Sequence, residues 1–153
     1  MRNCETTMTI ARITELDFAA IDILCAESVA EGHKFVARLF DEWRSGMNRF
    51  NAPGEAFFVA ESATGIVGVC GLNRDPYAGD ASIGRIRHLY VLRAHRREGI
   101  GRALITAVID AARIHFRTLR LRTTPAAEAF YRALGFKCVT PGHDPTYVLE
   151  LAG

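Results

Sequence analysis

Apolar residues recur with two different periods along the first third of the chain. Alternation over residues 7–13 predicts a first strand, and Thr14 with Asp17 resembles a capping box that opens a helix ending near Val29. A second helix is predicted by an apolar stripe at 3.6-residue spacing. The members of this stripe, which we interpret as core residues, are Phe35, Val36, Leu39, Phe40 and Trp43.

The middle of the chain is predicted to be β-structure. Residues 55–62 and 65–72 flank a short turn and predict a β-hairpin. Residues 73–81 carry Asn, Asp, Pro and Gly and predict an exposed, mobile loop. Residues 82–92 predict a long strand. Alternation in that strand places Ile86, His88 and Tyr90 on one face and Arg85, Arg87 and Leu89 on the other.

The last third of the chain continues the α/β pattern. An apolar stripe from Ile100 to His115 predicts a helix, and residues 118–123 return to strand alternation, which completes one βαβ unit. The remaining predicted elements are a short helix over 126–134, begun by Pro125 and ended by Gly135, and strands near 136–140 and 146–151. No linker interrupts the series, so the pattern predicts one domain over residues 1–153.

The composition is typical of a globular domain. Of the 153 residues, 49% are hydrophobic and 24% are charged, which excludes a disordered chain. The net charge of +2 is too small to indicate nucleic-acid binding by itself. Six arginines nevertheless lie between residues 85 and 102, where Glu98 is the single acidic residue. The basic character is therefore local and indicates a binding site.

The cysteines and the N-terminal segment bear on cellular location and on metal binding. Cys4, Cys25, Cys70 and Cys138 form no C-x-x-C pair, so neither a metal site nor a redox motif is predicted. We expect reduced thiols, with Cys70 and Cys138 as buried packing residues. The first residues lack an apolar leader, and no apolar run approaches the ~20 residues of a membrane span. A cytoplasmic protein is expected.

A glycine-containing turn is predicted between the long strand and the helix that follows it. The stretch "RAHRREGIGRAL", residues 93–104, places Gly99 and Gly101 at a helix N-terminus, where unpaired N–H groups and the helix dipole favour an anion. Glycines remove the Cβ atoms that would hold a pyrophosphate away. No Lys-Ser or Lys-Thr pair follows, which excludes a P-loop, and Leu104 replaces the third glycine of the dinucleotide fingerprint.

Two separate blocks of the chain carry a family resemblance. The first, "RREGIG" at Arg96–Gly101, matches the pattern [RQ]-x-x-G-x-[GA] of the acyl-CoA site in the GNAT superfamily of N-acetyltransferases. The second, "TTPAAEAFYRALGFKCV" at Thr123–Val139, resembles that family's fifth-strand exit and following helix. Its matching positions are Ala127, Phe130, Tyr131, Gly135 and Phe136. The spacing of the blocks and the order of predicted elements agree with the family as well.

The resemblance implies a fold and a chemistry. The expected fold is α/β of mixed character: a central, mostly antiparallel, twisted sheet of about seven strands with about four helices, splayed between the fourth and fifth strands. The expected activity is transfer of an acetyl group from acetyl-CoA to a primary amine of a small molecule or peptide, by direct attack in a ternary complex and without a metal. No nucleic-acid or membrane partner is implied, and a homodimer is common among relatives.

The resemblance also implies roles for residues near the cofactor. The N–H of Leu89 would polarise the thioester carbonyl, and the main chain of Leu89, Tyr90 and Val91 would pair with the pantetheine arm. The amides of the glycine turn would hold the pyrophosphate. The further expected cofactor contacts are Arg96, Arg97, Gly99, Ile100, Gly101, Arg102 and Thr124.

Three positions decide how the chemistry is expected to work. Tyr131 matches the family's general acid, which donates a hydrogen bond to the departing thiolate; the alternative is a core residue on a short helix. Thr124 stands where the family has Asn, so a side-chain contact there is shortened or missing. Arg85 stands where some relatives carry a glutamate base, and a guanidinium cannot accept a proton. The base is therefore unassigned.

The acceptor is left open by the sequence. One hypothesis is that Arg85 and Arg87 bind an acidic group, such as the carboxylate of an amino-acid-like amine. The alternative is a pair of solvated or ion-paired arginines at a sheet edge. His88, on the opposite predicted face, is interpreted as a core residue. The parts expected to form the acceptor site are residues 15–50 and the loop 73–81.

Two other functions are open at this stage. In the first, the chain keeps the GNAT fold and binds acyl-CoA as a sensor without turnover, for which the missing base and Thr124 are hints and Tyr131 is a counter-argument. In the second, the arginines of residues 85–102 bind nucleic acid. Sparse aromatic residues in that stretch and the absence of a recognised motif weigh against it.

Overall fold

The computed structural model describes residues 8–151, apart from the side chain of Phe35. Expectations for Cys4 and for residue 7 of the first strand lie outside this part of the chain. The described residues form the helices α1 (Phe18–Ala30), α2 (Phe35–Ser45), α3 (Ile100–Arg113) and α4 (Glu128–Ala133). They form the strands β1 (Thr9–Ile13), β2 (Ala56–Ser62), β3 (Gly65–Arg74), β4 (Ile83–Val91), β5 (Thr118–Arg122), β6 (Lys137–Thr140) and β7 (Thr146–Glu150).

One mixed sheet organises the chain, with the strand order β1-β2-β3-β4-β5-β7-β6. Neighbouring strands are antiparallel except β4 and β5, which are parallel and are joined by the crossover helix α3. β4 and β5 pair only where both strands begin, with Ile83–Arg85 opposite Thr118–Arg120. Beyond Arg85 the two strands separate. The mixed, seven-stranded sheet that splays between its fourth and fifth strands is confirmed.

Each face of the sheet buries its own apolar core. On one face the α3 stripe, including the fully buried Leu104 and Val108, packs against the sheet together with α4. On the other face α1 and α2 pack through residues that include Phe40 and Trp43, both buried as predicted. Cys70 is completely buried, and burial raises the pKa of its thiol. Both faces of β2 and β3 are therefore covered, which is why residues 56–60 and 66–72 of these strands are apolar or glycine.

Two predicted boundaries are wrong. The first helix begins at Phe18, with Asp17 rather than Thr14 as its N-cap; the Asp17 carboxylate accepts the Ala20 N–H at 3.2 Å. The predicted loop 73–81 begins too early, because β3 continues to Arg74. Asp75 within it is 3% exposed, so this end of the loop is built into the protein.

A β-bulge in β4 overturns the predicted faces of that strand. Gly71 pairs with Arg87 and Val69 pairs with Tyr90, so two steps on β3 span three on β4. The extra residue is His88, whose φ is +60°. Its ring lies 6.0 Å from that of Phe50, on the face covered by α1 and α2.

The bulge separates residues that alternation had grouped. His88 shares the face of Arg87, which approaches Glu42 of α2, and does not lie opposite it. Leu89 packs on the α3 face together with Ile86, and Tyr90 packs on the α1–α2 face. Each of the two therefore lies on the face opposite the one predicted from alternation. A strict period of two cannot anticipate an inserted residue.

Candidate functional site

A groove opens where β4 and β5 separate. Its volume is about 1290 Å³, and it is lined by β4 from Arg85 to Val91, by the turn after β4 and by the residues that follow β5. Because β4 lacks β5 as a partner here, its main-chain groups on that edge are available to a ligand that lies alongside the strand. The expected cofactor residues Leu89, Tyr90 and Val91 all line this groove.

The glycine turn closes one end of the groove. Gly99 is the N-cap of α3 with φ +80°, and Arg97 is also left-handed at +69°. Ala103 donates the first backbone bond of α3, to the Gly99 carbonyl. The amides of Ile100, Gly101 and Arg102 therefore lie in the first turn without an intrahelical acceptor. Such a concave set of N–H groups at a helix N-terminus fits a phosphate or pyrophosphate.

The three arginines of the turn differ in their surroundings. Arg97 and Arg102 are exposed at the groove and make no ion pair with the described residues. Arg96 instead points back to the body of the protein: its Nη2 lies 2.6 Å from Glu31 Oε1, and its Nε donates to the Val91 carbonyl at 2.9 Å. Arg96 thus holds the turn, whereas Arg97 and Arg102 can meet a ligand.

A carboxylate on α1 anchors this end of the groove. Glu31 accepts hydrogen bonds from Arg96, from the Tyr90 hydroxyl at 2.7 Å and from Arg93 at 2.6 Å. These bonds, with that of Arg96 the strongest, hold the pKa of Glu31 well below its usual range. Glu27, one turn earlier, accepts the Arg93 N–H at 2.7 Å. Helix α1 is therefore tied to the end of β4 and to the glycine turn.

Replacing Glu31 with glutamine is expected to weaken acetyl-CoA binding about tenfold. The change removes the charge that orients Arg93 and Arg96, so the glycine turn is held less firmly in the conformation that presents its amides to the cofactor. The measurement is calorimetric titration with acetyl-CoA. Glu98→Gln is the matched control, because the Glu98 side chain is 48% exposed on the same turn and its ion pair among residues 8–151 is with His95. Equal effects of the two variants would contradict the anchoring role.

Tyr131 lies on α4 where that helix meets the groove. Its ring is buried between Phe130 and Phe136, at 5.0 and 5.7 Å between centroids. Burial, with a smaller contribution from Cys70, raises the pKa of its phenol, so the hydroxyl keeps its proton at neutral pH. Thr124, in the turn before α4, lines the same groove. The structure thus brings Tyr131, Thr124 and Leu89 together in one groove.

Arg85 and Arg87 line the other end of the groove. Both are on the α2 side of β4, as their contacts with Asp75 and Glu42 indicate. The Arg85 guanidinium also lies 5.0 Å from the centre of the Tyr77 ring. The two predicted acceptor residues are therefore at the groove, but on the opposite side of the strand from Leu89.

Sequence reasoning missed Glu31, Glu27, Arg38 and Tyr77. Glu27 lies on the first predicted helix, but Glu31 lies beyond its predicted end near Val29. Their partners, 66 and 59 residues away, could not be identified from the sequence. Arg38 and Tyr77 line the groove and come from elements whose position over β4 only the fold defines.

Within residues 8–151, no group of three or more His, Cys, Asp or Glu side chains is arranged to hold a metal ion. None of the helices described is long and apolar enough to cross a membrane.

Comparison with known proteins gives one family. Residues 53–138 match the family model described as an acetyltransferase (GNAT) domain. The chain is 37% identical over 87 residues to N-acetyltransferase family 8 member 3 of Rattus norvegicus and 34% identical over 94 residues to N-acetyltransferase 8 of Homo sapiens. The matches cover 53% and 55% of this chain but 38% and 39% of those proteins, so the chain spans well under half of their length.

Solved structures share the fold along nearly the whole chain. A crystal structure assigned as an acetyltransferase from Exiguobacterium sp. 255-15 has a TM-score of 0.80 and 34% identity, covering 94% of this chain and 93% of that one. A GNAT family N-acetyltransferase from Escherichia coli in complex with CoA has a TM-score of 0.73 at 20% identity, covering 99% of this chain and 86% of that one.

Proposed function

This chain belongs to the GNAT family of acetyltransferases, and we propose that it transfers an acetyl group from acetyl-CoA to a primary amine of a small molecule or peptide. The observation that carries the proposal is the meeting of three features in one groove. They are the part of β4 that has separated from β5, the cradle of amides at the start of α3, and the buried phenol of Tyr131.

The groove fits an extended acyl-CoA. Its pyrophosphate would lie on the amides of residues 97 and 99–102, with Arg97 and Arg102 as countercharges. The pantetheine arm would run along Leu89–Val91 as an added strand. Thr124 offers a hydroxyl to the same arm. The thioester would then lie between the Leu89 amide and the Tyr131 hydroxyl.

In the proposed reaction the amine attacks the thioester carbonyl carbon directly. The new C–N bond forms as the C–S bond breaks, and the developing oxyanion is stabilised by the Leu89 N–H. The sulfur departs as a thiolate that accepts a hydrogen bond from the Tyr131 hydroxyl. Arg85 cannot accept the proton of the amine, but nearby guanidinium groups lower an amine's pKa and favour its neutral form. Solvent at the open end of the groove can take that proton.

Release of CoA thiol tests the proposal. Acetyl-CoA is incubated with a library of primary amines, and free thiol is measured beside calorimetric binding of acetyl-CoA. Turnover of at least one amine is expected. Binding of acetyl-CoA without release of thiol from any amine would favour a sensor, and absence of binding would overturn the proposal.

A further inference from the structure

Two guanidinium groups lie at the end of the groove remote from the glycine turn. The side chains of Arg85 and Arg87 are 15% and 19% exposed, so most of each is removed from water. Arg85 Nη1 lies 3.4 Å from Asp75 Oδ2, and Arg87 Nη2 lies 4.0 Å from Glu42 Oε1. Charge-assisted hydrogen bonds are shorter, about 2.7–2.9 Å. Contacts with the described residues thus engage few of the N–H donors of the two arginines.

The neighbouring groups hold these arginines in place without fully neutralising them. Asp75 directs its Oδ1 to the N–H groups of Tyr77 and Ala78, at 2.7 and 3.2 Å, and so gives Arg85 a single long contact. The Tyr77 ring covers the Arg85 guanidinium on one side. Arg87 Nη1 lies 3.4 Å from the Asn73 side-chain oxygen. Both guanidinium groups are oriented, as a bidentate binding site requires.

The walls of the groove are strongly cationic. Among the described residues that line it there is one carboxylate, Asp144, against seven arginines. These arginines are Arg38, Arg85, Arg87, Arg96, Arg97, Arg102 and Arg122. The CoA phosphates would account for Arg97 and Arg102, and Glu31 neutralises Arg96. Asp75 and Glu42 also lie against Arg85 and Arg87, so the charge that the donor substrate does not explain is small, about one positive unit. What these two carboxylates leave available is N–H donors, because each makes a single long contact.

The position of the pair relative to Leu89 indicates which substrate meets it. The glycine turn follows the C-terminal end of β4, whereas Arg87 and Arg85 precede Leu89 by two and four residues. Because the bulge at His88 shortens β4 between Arg87 and Leu89, the Cα atoms of Arg87 and Arg85 lie less than about 7 and 13 Å upstream of the proposed point of transfer. The CoA phosphates would lie in the other direction. The acceptor amine is the substrate that approaches from this side.

We propose that Arg85 and Arg87 form a carboxylate subsite, so that the acceptor is an amine carrying a carboxylate near its amino group. The inference rests on the proposed acetyltransferase function and names the substrate class of the same groove. A carboxylate matches the planar guanidinium fork and would form charge-assisted hydrogen bonds in a largely desolvated setting.

The test compares amino acids with their primary amides as acceptors. Each pair exchanges the carboxylate for an uncharged amide, which also lowers the pKa of the amine. The quantity compared is therefore the ratio of kcat/KM for acid over amide, each calculated for the neutral form of the amine. We expect this ratio to be at least ten in the wild type and to fall below about three in Arg87→Gln, with KM for acetyl-CoA unchanged. Arg74→Gln is the control: it removes an exposed charge from β3 outside the groove and is expected to leave the ratio intact.

Two additional measurements keep the outcomes distinguishable. Thermal melting identifies variants that fail to fold. If Arg87→Gln fails to fold, two other variants replace it: Arg85→Gln, and Arg87→Lys, which keeps the charge but loses the planar guanidinium. Ligand-observed NMR on the CoA-saturated protein compares binding of acids and amides without turnover. Equal use or binding of acid and amide overturns the carboxylate subsite alone. Failure to bind acetyl-CoA overturns the acetyltransferase function instead.

Discussion

Replacing Gly99 with valine is expected to weaken acetyl-CoA binding by roughly 100-fold or more while leaving the fold intact. Gly99 has φ +80°, a conformation that a β-branched residue adopts only with strain of ~1–3 kcal/mol. An added Cβ meets no heavy atom within 4 Å, so backbone conformation and not collision is the cause. Relaxing that strain turns the amides of the cradle away from the pyrophosphate, and each lost charge-assisted hydrogen bond adds to the cost.

Two controls separate this effect from a general loss of stability or charge. Gly101→Ala is expected to weaken acetyl-CoA binding less than Gly99→Val, because φ is not left-handed there and the added Cβ, 3.5 Å from Phe130, brings an obstruction in the groove without backbone strain. Alanine would also stabilise the helix, by up to ~1 kcal/mol. Arg97→Ala removes one exposed charge and is expected to cost about fivefold at most. Calorimetry measures all three; a larger loss in Arg97→Ala than in Gly99→Val would disprove the backbone cradle.

Replacing Tyr131 with phenylalanine is expected to lower kcat about 100-fold with little change in the Kd of acetyl-CoA. The ring retains its packing against Phe130 and Phe136, and only the hydroxyl that would serve the departing thiolate is lost. Steady-state kinetics and calorimetry separate the two quantities. Tyr147→Phe is the matched control, because that tyrosine is fully buried outside the groove and its hydroxyl bonds to Glu128. Comparable kcat values for the two variants would remove Tyr131 from the mechanism.

The pH dependence of the Tyr131 effect follows from its environment. The neutral phenol is the form that donates, and burial raises its pKa above the ordinary value of about 10. A raised pKa extends the protonated form to higher pH. The ratio of wild-type to Tyr131→Phe kcat is therefore expected to stay constant from pH 6 to about pH 10. A ratio that has fallen to half its value by about pH 10 would indicate an unperturbed phenol, and a fall already below pH 9 would indicate a lowered pKa.

The predicted features differ in how local their causes are. The glycine turn at Gly99 could be predicted from the sequence, because a left-handed N-cap before an amphipathic helix depends on only a few neighbouring residues. The apolar stripe that buries Trp43 was readable for the same reason. Asp17 took the capping role expected for Thr14, because both residue types cap helices and packing of the helix decides between neighbouring starts.

The faces of β4 were not readable from alternation. A bulge depends on how β4 registers against β3, and its extra residue, His88, is ordinary in sequence. The partners of Arg96 were equally hidden, since Glu31 is 65 residues away in the chain. The sequence around an arginine beside a phosphate-binding turn is the same whether that arginine contacts a ligand or anchors the turn.

The sequence by itself determined the order of elements, the glycine turn and the family pattern, because periodicity, capping and backbone freedom act over a few residues. Only the tertiary structure decided that β4 and β5 separate after Arg85, that α1 anchors the turn through Glu31, and that Arg85 and Arg87 face the groove. Those arrangements depend on strand register and on contacts between distant segments. The contacts that stabilise these arrangements exist only after the whole sheet and both of its cores have formed.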